Sequence, residues 1–490
     1  MKWSKLLNSS RRKDKEKNPG SKKSDLAAGR QEIERDFDRL LFAASTRRLA
    51  DKTQVFPLDL NDSVRTRLTH SHEVANFARG IGMRLAFEMK EEIFGSDCNH
   101  LILERDVPAL LATIGLAHDL GNPPFGHQGE AAMATWFRRN LAPLVAHGFD
   151  EESGRIFNDF MNFDGNSQTL RLVTRLQIIN DNYGLNLTYA SLAAMIKYPQ
   201  SSYIKNKKWS KHGYLFSEET VVHDIWQETG LSEGLRHPFT YLMEACDDIA
   251  YSILDAEDTI KKGLASYQDL ISFLTSWKNG TDKTINQLVK KVQDKNREWD
   301  DRKQELSPAE INDMSMQMFR VHGTNVLITS VVEAFRQCHK QLCNTECAIK
   351  DLISISDGNE LCSALKKFDQ TRGYRHRTVL ELELKGSNYI QGLMDMLWVG
   401  IRGRKSGGKE WDTPFGRYAY GRISENYRRV FDDKENNLPP LYKEAQLLAD
   451  AVSGMTDSYL IRLHDELKSL YEYESRLQPS TPKAKNRRFL

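Results

Sequence analysis

The sequence has no run of 18 apolar residues, so no helix in it is expected to cross a membrane. Its opening, MKWSKLLNSSRRKDKEKNPGSKK, lacks an apolar stretch with a small-residue cleavage site, and no secretory leader is expected. Cysteine is scarce: six in 490 residues do not make a disulfide scaffold. Cys338, Cys343 and Cys347 cluster, but their spacing forms no CxxC pair, so they read as reduced thiols. Excess charge is lacking too. Lys plus Arg number 69 and Asp plus Glu 67, a net of +2, which excludes a chain-wide basic coat for nucleic acid while leaving local patches open. The Gly-rich loop IRGRKSGGKEW at 401–411 is not a P-loop, because Glu410 follows Gly-Lys where Ser or Thr is needed. There is no internal repeat. A cytoplasmic chain is the expectation.

What is present is ordinary globular material: 40% apolar and 28% charged residues over a length that suits about three domains. Residues 1–25 and 479–490 read as solvated basic tails, the first also as an electrostatic tether for nucleic acid. Between them the apolar residues recur at helical steps. Ile33, Phe37, Leu40, Leu41 and Ala44 form one such face, and Val74, Phe77, Ala78, Ile81 and Leu85 another. VPALLATIGLAHDLG is apolar almost all round, as a central buried helix is, and Gly121-Asn122-Pro123-Pro124 stops it. FTYLMEACDDIAYSILDAEDTI and most of 284–350 are helical in pattern. Strand signal is confined to VLELELKG, where Leu380, Leu382 and Leu384 alternate with Glu381 and Glu383. The expected class is all-α with a small hairpin near 380.

The chemistry starts at His118-Asp119. Two polar side chains at the end of an apolar helix need a partner, since an uncompensated buried charge costs several kcal/mol. A divalent cation is one such partner. His70 and Asp247, each beside small or apolar residues on other helices, are the candidates to complete its ligands. Two imidazoles and two carboxylates suit octahedral Mg²⁺, Mn²⁺ or Fe²⁺ better than a closed zinc site. His72, two residues from His70, faces away on a helix. In GNPPFGHQGEAA, His127 and Glu130 are three apart and share a helical face, the arrangement of a base or acid with its orienting carboxylate. On spacing alone, a Glu complementing a helix start is the better reading of that pair.

The motifs together resemble the deoxyguanosine triphosphate triphosphohydrolases of the HD-domain superfamily. The stretches that carry the resemblance are KTQVFPL (52–58), VRTRLTHSHEV (64–74), LAHDLGNPPFGHQGE (116–130), FDGNSQTLRL (163–172), MEACDDIAYSILDAED (243–258), LELKG (382–386) and SGMTDSY (453–459). The resemblance implies an HD-domain helical core over 26–270, a helical insertion over 271–370 and a C-terminal helical region over 371–478 that completes the nucleotide pocket. It implies Mn²⁺ or Mg²⁺ on His70, His118, Asp119 and Asp247, with His127 and Glu130 as the catalytic pair. It further implies that Gln54 and Asp255 hydrogen-bond the sugar 3′-hydroxyl, that Val55 is among the substrate-binding residues, that Tyr251 lies on the deoxyribose and excludes a 2′-hydroxyl, and that Lys197, Tyr198 and Lys211 hold the triphosphate. Glu383 matches the position that meets guanine, whose two adjacent N–H donors a carboxylate accepts. Arg417, and Arg404 in the basic loop, correspond to arginines that reach a neighbour's pocket. The implied reaction converts dGTP to deoxyguanosine and tripolyphosphate in a hexamer, with single-stranded DNA as an effector and control of dNTP pools as the role.

Two other readings compete. An HD phosphohydrolase acting on an alarmone or cyclic dinucleotide is disfavoured by GNPPFGHQGE and the Tyr251–Asp255 pair. A non-enzymatic nucleic-acid-binding module is allowed by the basic tails, but no RRM, KH or zinc-finger pattern supports it.

Overall fold

Leu110, Leu111, Ile114 and Leu116 are fully buried, so the Leu103–Ala117 helix is enclosed on all sides, as its apolar composition requires. It lies against the Arg67–Phe87 helix, and two glycines set how closely. A Cβ on Gly115 would stand 2.8 Å from Ala75 Cα, and one on Gly82 2.9 Å from Pro108 Cα. Only residues without a side chain permit this approach of the two backbones. The Pro238–Lys261 helix packs on the same pair, and the long Pro308–Leu342 helix packs behind it.

In this computed structural model the described residues are 2–17, 29–56, 64–96, 101–177, 181–204, 208–298, 305–344, 347–405, 408 and 410–477. They are overwhelmingly helical, and their one sheet is the two-stranded antiparallel pair Arg404–Lys405 and Glu410–Trp411. Apolar side chains form two cores. The first joins the N-terminal segment, the helices above, and residues from 270 to 368. The second joins Phe125–Leu176 side chains to those of 390–467. No described helix is long and apolar enough to cross a membrane.

Two sequence expectations are corrected. VLELELKG is not a strand: it lies in the Arg377–Arg402 helix, and the antiparallel pair is instead Arg404–Lys405 with Glu410–Trp411. Buried Val379, Gly386, Ile390, Leu393, Leu397 and Ile401 supply the helical face, while Leu380 and Leu384 are exposed one turn apart and Lys385 bonds Glu381 at 2.6 Å across an i,i+4 step.

The described N-terminal residues, 2–17, are not a solvated tail. Trp3, Leu6 and Leu7 are buried, and Trp3 Nε1 donates to Ile93 O at 2.8 Å. Arg11, 3% exposed, is held by Glu32 and Asp36, each at 2.7 Å. The 479–490 tail lies outside the described residues.

Candidate functional site

The central helix ends at Ala117, and His118 is its C-cap. His118 Nδ1 lies 2.7 Å from Gly115 O. A carbonyl only accepts, so Nδ1 carries the proton and Nε2 is the atom turned to the site. Nε2 is buried 3.4 Å from Asp247 Oδ1, without a well-formed hydrogen bond. His70 Nε2, from the neighbouring helix, lies 3.2 Å from the same oxygen. One nitrogen or oxygen from each of His70, His118 and Asp247 falls within a 4.8 Å cluster suited to a cation. Asp119 stands at its edge: its Oδ2 is 3.6 Å from His118 Nε2 but accepts from Arg67 at 2.6 Å, and Asn122 holds its other oxygen at 2.5 Å.

The electrostatics ask for positive charge. Burial opposes the His118 cation, but Asp119 and Asp247 outweigh it and raise its pKa to about 9. Burial would raise the Asp119 carboxyl, yet Arg67, then His118 and His70, bring it down to about 2. The two carboxylates around these buried imidazoles thus favour positive charge at the cluster, as a divalent cation would supply.

After the helix stops, Phe125 (φ 59°) and Gly126 (φ 57°) turn the chain in the left-handed region and start the Gly126–Asn140 helix. The positive φ of Gly126 favours glycine, and a Cβ there, 2.3 Å from the Arg67 guanidinium, would push that group off Asp119. Phe125 N donates to Asp457 Oδ1 at 3.1 Å, which fixes the turn. His127 then faces the site from the first turn, with Nδ1 2.9 Å from Glu130 Oε2. The Glu130 bond raises the His127 pKa, against partial desolvation by the surrounding protein and the charges of Arg67 and Lys211. Glu130 is itself fixed, because its Oε1 accepts from Gly165 N at 2.7 Å. This helix belongs to the second core and the His70, His118 and Asp247 helices to the first, so the site lies where the two cores meet.

A cavity of about 590 Å³ opens there. Among the predicted residues, Gln54, His118, Asp119, His127, Glu130, Lys197, Tyr198, Lys211, Asp247 and Tyr251 line it. His70 is buried behind them. Lys197 lies 3.6 Å from Glu244 and 3.9 Å from Asp247; burial lowers its pKa, but those carboxylates outweigh it and keep the ammonium charged. Lys211 reaches Asp164 at 2.6 Å and Glu130 at 3.7 Å. Asp255 is buried one turn beyond Tyr251, where Tyr374 donates to it at 2.5 Å, and burial pushes its carboxyl well above the usual range.

Val55, Asp255, Glu383, Arg404 and Arg417 are not in the lining. Glu383 is half-buried on the Arg377–Arg402 helix. Arg404 bonds Asp432 at 2.8 Å and lies over Tyr420 and Phe431, while Arg417 is exposed. Cys338, Cys343 and Cys347 lie outside the cation cluster.

Sequence reasoning missed Arg67, Asn122, Asp248 and Lys366 in the lining, and Tyr374, whose ring centre is 5.9 Å from that of Tyr251. Arg67 stands three residues before His70 on a predicted helix, a legible i,i+3 signal. Lys366 and Tyr374 lie more than a hundred residues from Tyr251 and carried no local signal. Lys52 was also passed over. It is 3% exposed, donates to Asn122 O and Ser453 O at 2.6 and 2.8 Å, and burial lowers its pKa to about 7. A larger cavity, about 680 Å³, lies elsewhere beside Phe149 and Phe216, but its Arg171 is already paired with Glu218 and Asp450.

Residues 67–159 match the HD domain family. A deoxyguanosinetriphosphate triphosphohydrolase-like protein of Listeria monocytogenes is 34% identical, covering 96% of this chain and 100% of its own. One of Pseudomonas aeruginosa is 30% identical over 90% of this chain and 94% of its own. A deoxyguanosinetriphosphate triphosphohydrolase of Klebsiella pneumoniae is 29% identical over 87% and 92% respectively.

Proposed function

The chain belongs to the deoxyguanosinetriphosphate triphosphohydrolase-like family of HD-domain proteins, and from that premise we propose that it hydrolyses dGTP to deoxyguanosine and tripolyphosphate. The observation that carries this reading is the convergence, around one cavity, of the His70–His118–Asp247 cluster, the His127–Glu130 pair and two charged lysines.

The donor set fits a divalent cation: two imidazoles and a carboxylate around a buried nitrogen, His118 Nε2, that lacks a formed hydrogen bond. His70, His118 and Asp247 would hold Mn²⁺ or Mg²⁺, with Asp119 at the edge. Bound there, such an ion supplies Lewis-acid polarisation of a phosphoryl oxygen and an activated water. The remaining work falls to side chains. Lys197 and Lys211 bind the triphosphate, whose roughly four negative charges call for cations. Gln54 and Asp255 position the sugar, and the Tyr251 ring covers the deoxyribose face where a 2′-hydroxyl would stand. His127 hands a proton to the 5′ oxygen as it leaves, and Glu130 keeps that imidazole charged and aimed. Asp119, fixed by Arg67 and Asn122, supplies negative charge beside His118.

Glu383 selects guanine, and Arg404 and Arg417 act on a neighbouring subunit's pocket, in a hexamer that single-stranded DNA modulates. The enzyme works in the cytoplasm and controls dNTP pools. A second reading, hydrolysis of several dNTPs, is supported by the position of Glu383 outside the cavity lining.

Turnover of each dNTP by chelator-treated protein, before and after Mn²⁺ is restored, tests both. The proposal expects dGTP loss that stops on chelation and returns with metal. Equal turnover of the four favours the second reading, and metal-independent turnover rejects the first and the second alike.

A further inference from the structure

Apart from the reaction site lies another concave pocket, about 340 Å³, bounded by Arg48, by Arg422 to Tyr427, and by the start of the Asp457–Leu477 helix. Three arginines line it, Arg48, Arg422 and Arg462, and no carboxylate does. Arg48 Nη1 donates only to neutral oxygens, Tyr427 Oη at 3.0 Å and Gly454 O at 3.1 Å. Arg462 is exposed and makes no ion pair or hydrogen bond among the described residues. Arg422 is shared with Glu466, which stands outside the lining, through contacts of 3.0 and 3.1 Å. Guanidinium groups gathered in one concavity repel each other, and among the described residues two of these three have no ion-pair partner. The Ser424 and Tyr459 hydroxyls add donors at the same walls.

The helix that begins here is 21 residues long, and its N-terminal end adds positive potential. Its first residue, Asp457, does not cancel that potential in the pocket. Its carboxylate is engaged on the other side, accepting from Thr53 N at 2.9 Å, from Thr53 Oγ1, and from Phe125 N at 3.1 Å.

We propose that this pocket binds a phosphate-bearing anion at a place separate from the reaction site. Planar guanidinium forks with hydroxyl donors suit phosphoryl oxygens in particular. An occupant would sit beside Thr456, next to the residue that holds Thr53 and Phe125, the neighbours of Gln54 and of the Gly126–His127 turn.

The anion could be a free inorganic phosphate or the phosphate end of a nucleotide. Calorimetric titration of the full chain with orthophosphate, tripolyphosphate and deoxyguanosine monophosphate, at low salt, distinguishes these sources. Lys211→Ala, at the reaction site, is the reference variant. The expected result is a binding event for at least one probe that survives in Lys211→Ala and weakens by roughly 10- to 100-fold in Arg462→Glu. Arg462→Ala should weaken it in the same direction, and thermal unfolding of both Arg462 variants verifies their fold, which an exposed position should leave intact. Dependence on Arg462 for tripolyphosphate or orthophosphate alone identifies a free phosphate, and for the monophosphate a nucleotide. Binding that is indifferent to Arg462, or that disappears entirely in Lys211→Ala, overturns the proposal without touching the assignment of the reaction site.

Discussion

Glu130→Gln removes one negative charge and almost no volume, and the two oxygens of Glu130 have separate tasks. Oε1 accepts from Gly165 N, which a glutamine carbonyl reproduces, so the helix start should persist. Oε2 faces His127 Nδ1 at 2.9 Å, where an amide NH₂ would meet an N–H donor. A hydrogen bond to a charged group contributes about 1.5–3 kcal/mol. The His127 side chain is 72% exposed, so solvent screens this bond toward the lower end, near a tenfold loss of rate. The sign of the pH effect follows from the causes of the His127 shift. The Glu130 bond raises the pKa, while partial desolvation by the surrounding protein, Arg67 and Lys211 lower it. Without Glu130 only the lowering influences remain. If protonated His127 supplies the proton to the leaving oxygen, activity is lost as pH rises through its pKa, and the basic limb of the pH–rate profile must move to lower pH in Glu130→Gln. His127→Ala should lose about 10²–10⁴ in rate, with that limb abolished. The assay is kcat/KM for dGTP across pH with metal content checked in each variant. A wild-type basic limb in both variants, or a limb displaced upward in Glu130→Gln, would refute the assignment of His127.

Three further outcomes are expected. His70→Ala should retain little metal after dialysis and almost no activity; full metal content at full rate would remove His70 from the ligand set. Tyr251→Ala should admit GTP as a substrate, and a variant that still cleaves dGTP while excluding GTP would show that the ring is no steric gate. Trp3→Ala should destabilise the fold by about 3–5 kcal/mol in denaturant unfolding, because an indole packed on Phe94 and Phe239 and bonded to Ile93 O is lost; an unchanged midpoint would mean that the N-terminal segment is solvated after all.

Much of the site could be read locally. The apolar helix leading to His118 and the Gly-Asn-Pro-Pro stop are strong short-range signals, and the structure places His70, His118 and Asp247 together as the resemblance implied. What failed did so where long-range packing overrode a short pattern. Five alternating Leu and Glu residues satisfy a strand, but the Arg377–Arg402 helix is decided by Ile390, Leu393, Leu397 and Ile401, beyond that window. The charges of the N-terminal segment suggested solvent, yet Arg11 finds Glu32 and Asp36 some 20 residues on, and Trp3 finds a pocket formed by Phe94 and Phe239. Lys366 and Tyr374 reach the site only because the residues from 270 to 368 pack into the same core as the Asp247 helix.

The most direct test of the central claim is the identity of the first products. Lys197 and Lys211 are proposed to hold the phosphates as one unit, and Gln54, Tyr251 and Asp255 to fix the sugar, which puts the reacting centre at the sugar–phosphate junction. Chromatography of an early time point with Mn²⁺ and dGTP, with phosphorus NMR of the same sample, should show deoxyguanosine and intact tripolyphosphate in equal amounts. dGMP with pyrophosphate, or dGDP with orthophosphate, as first products would contradict it.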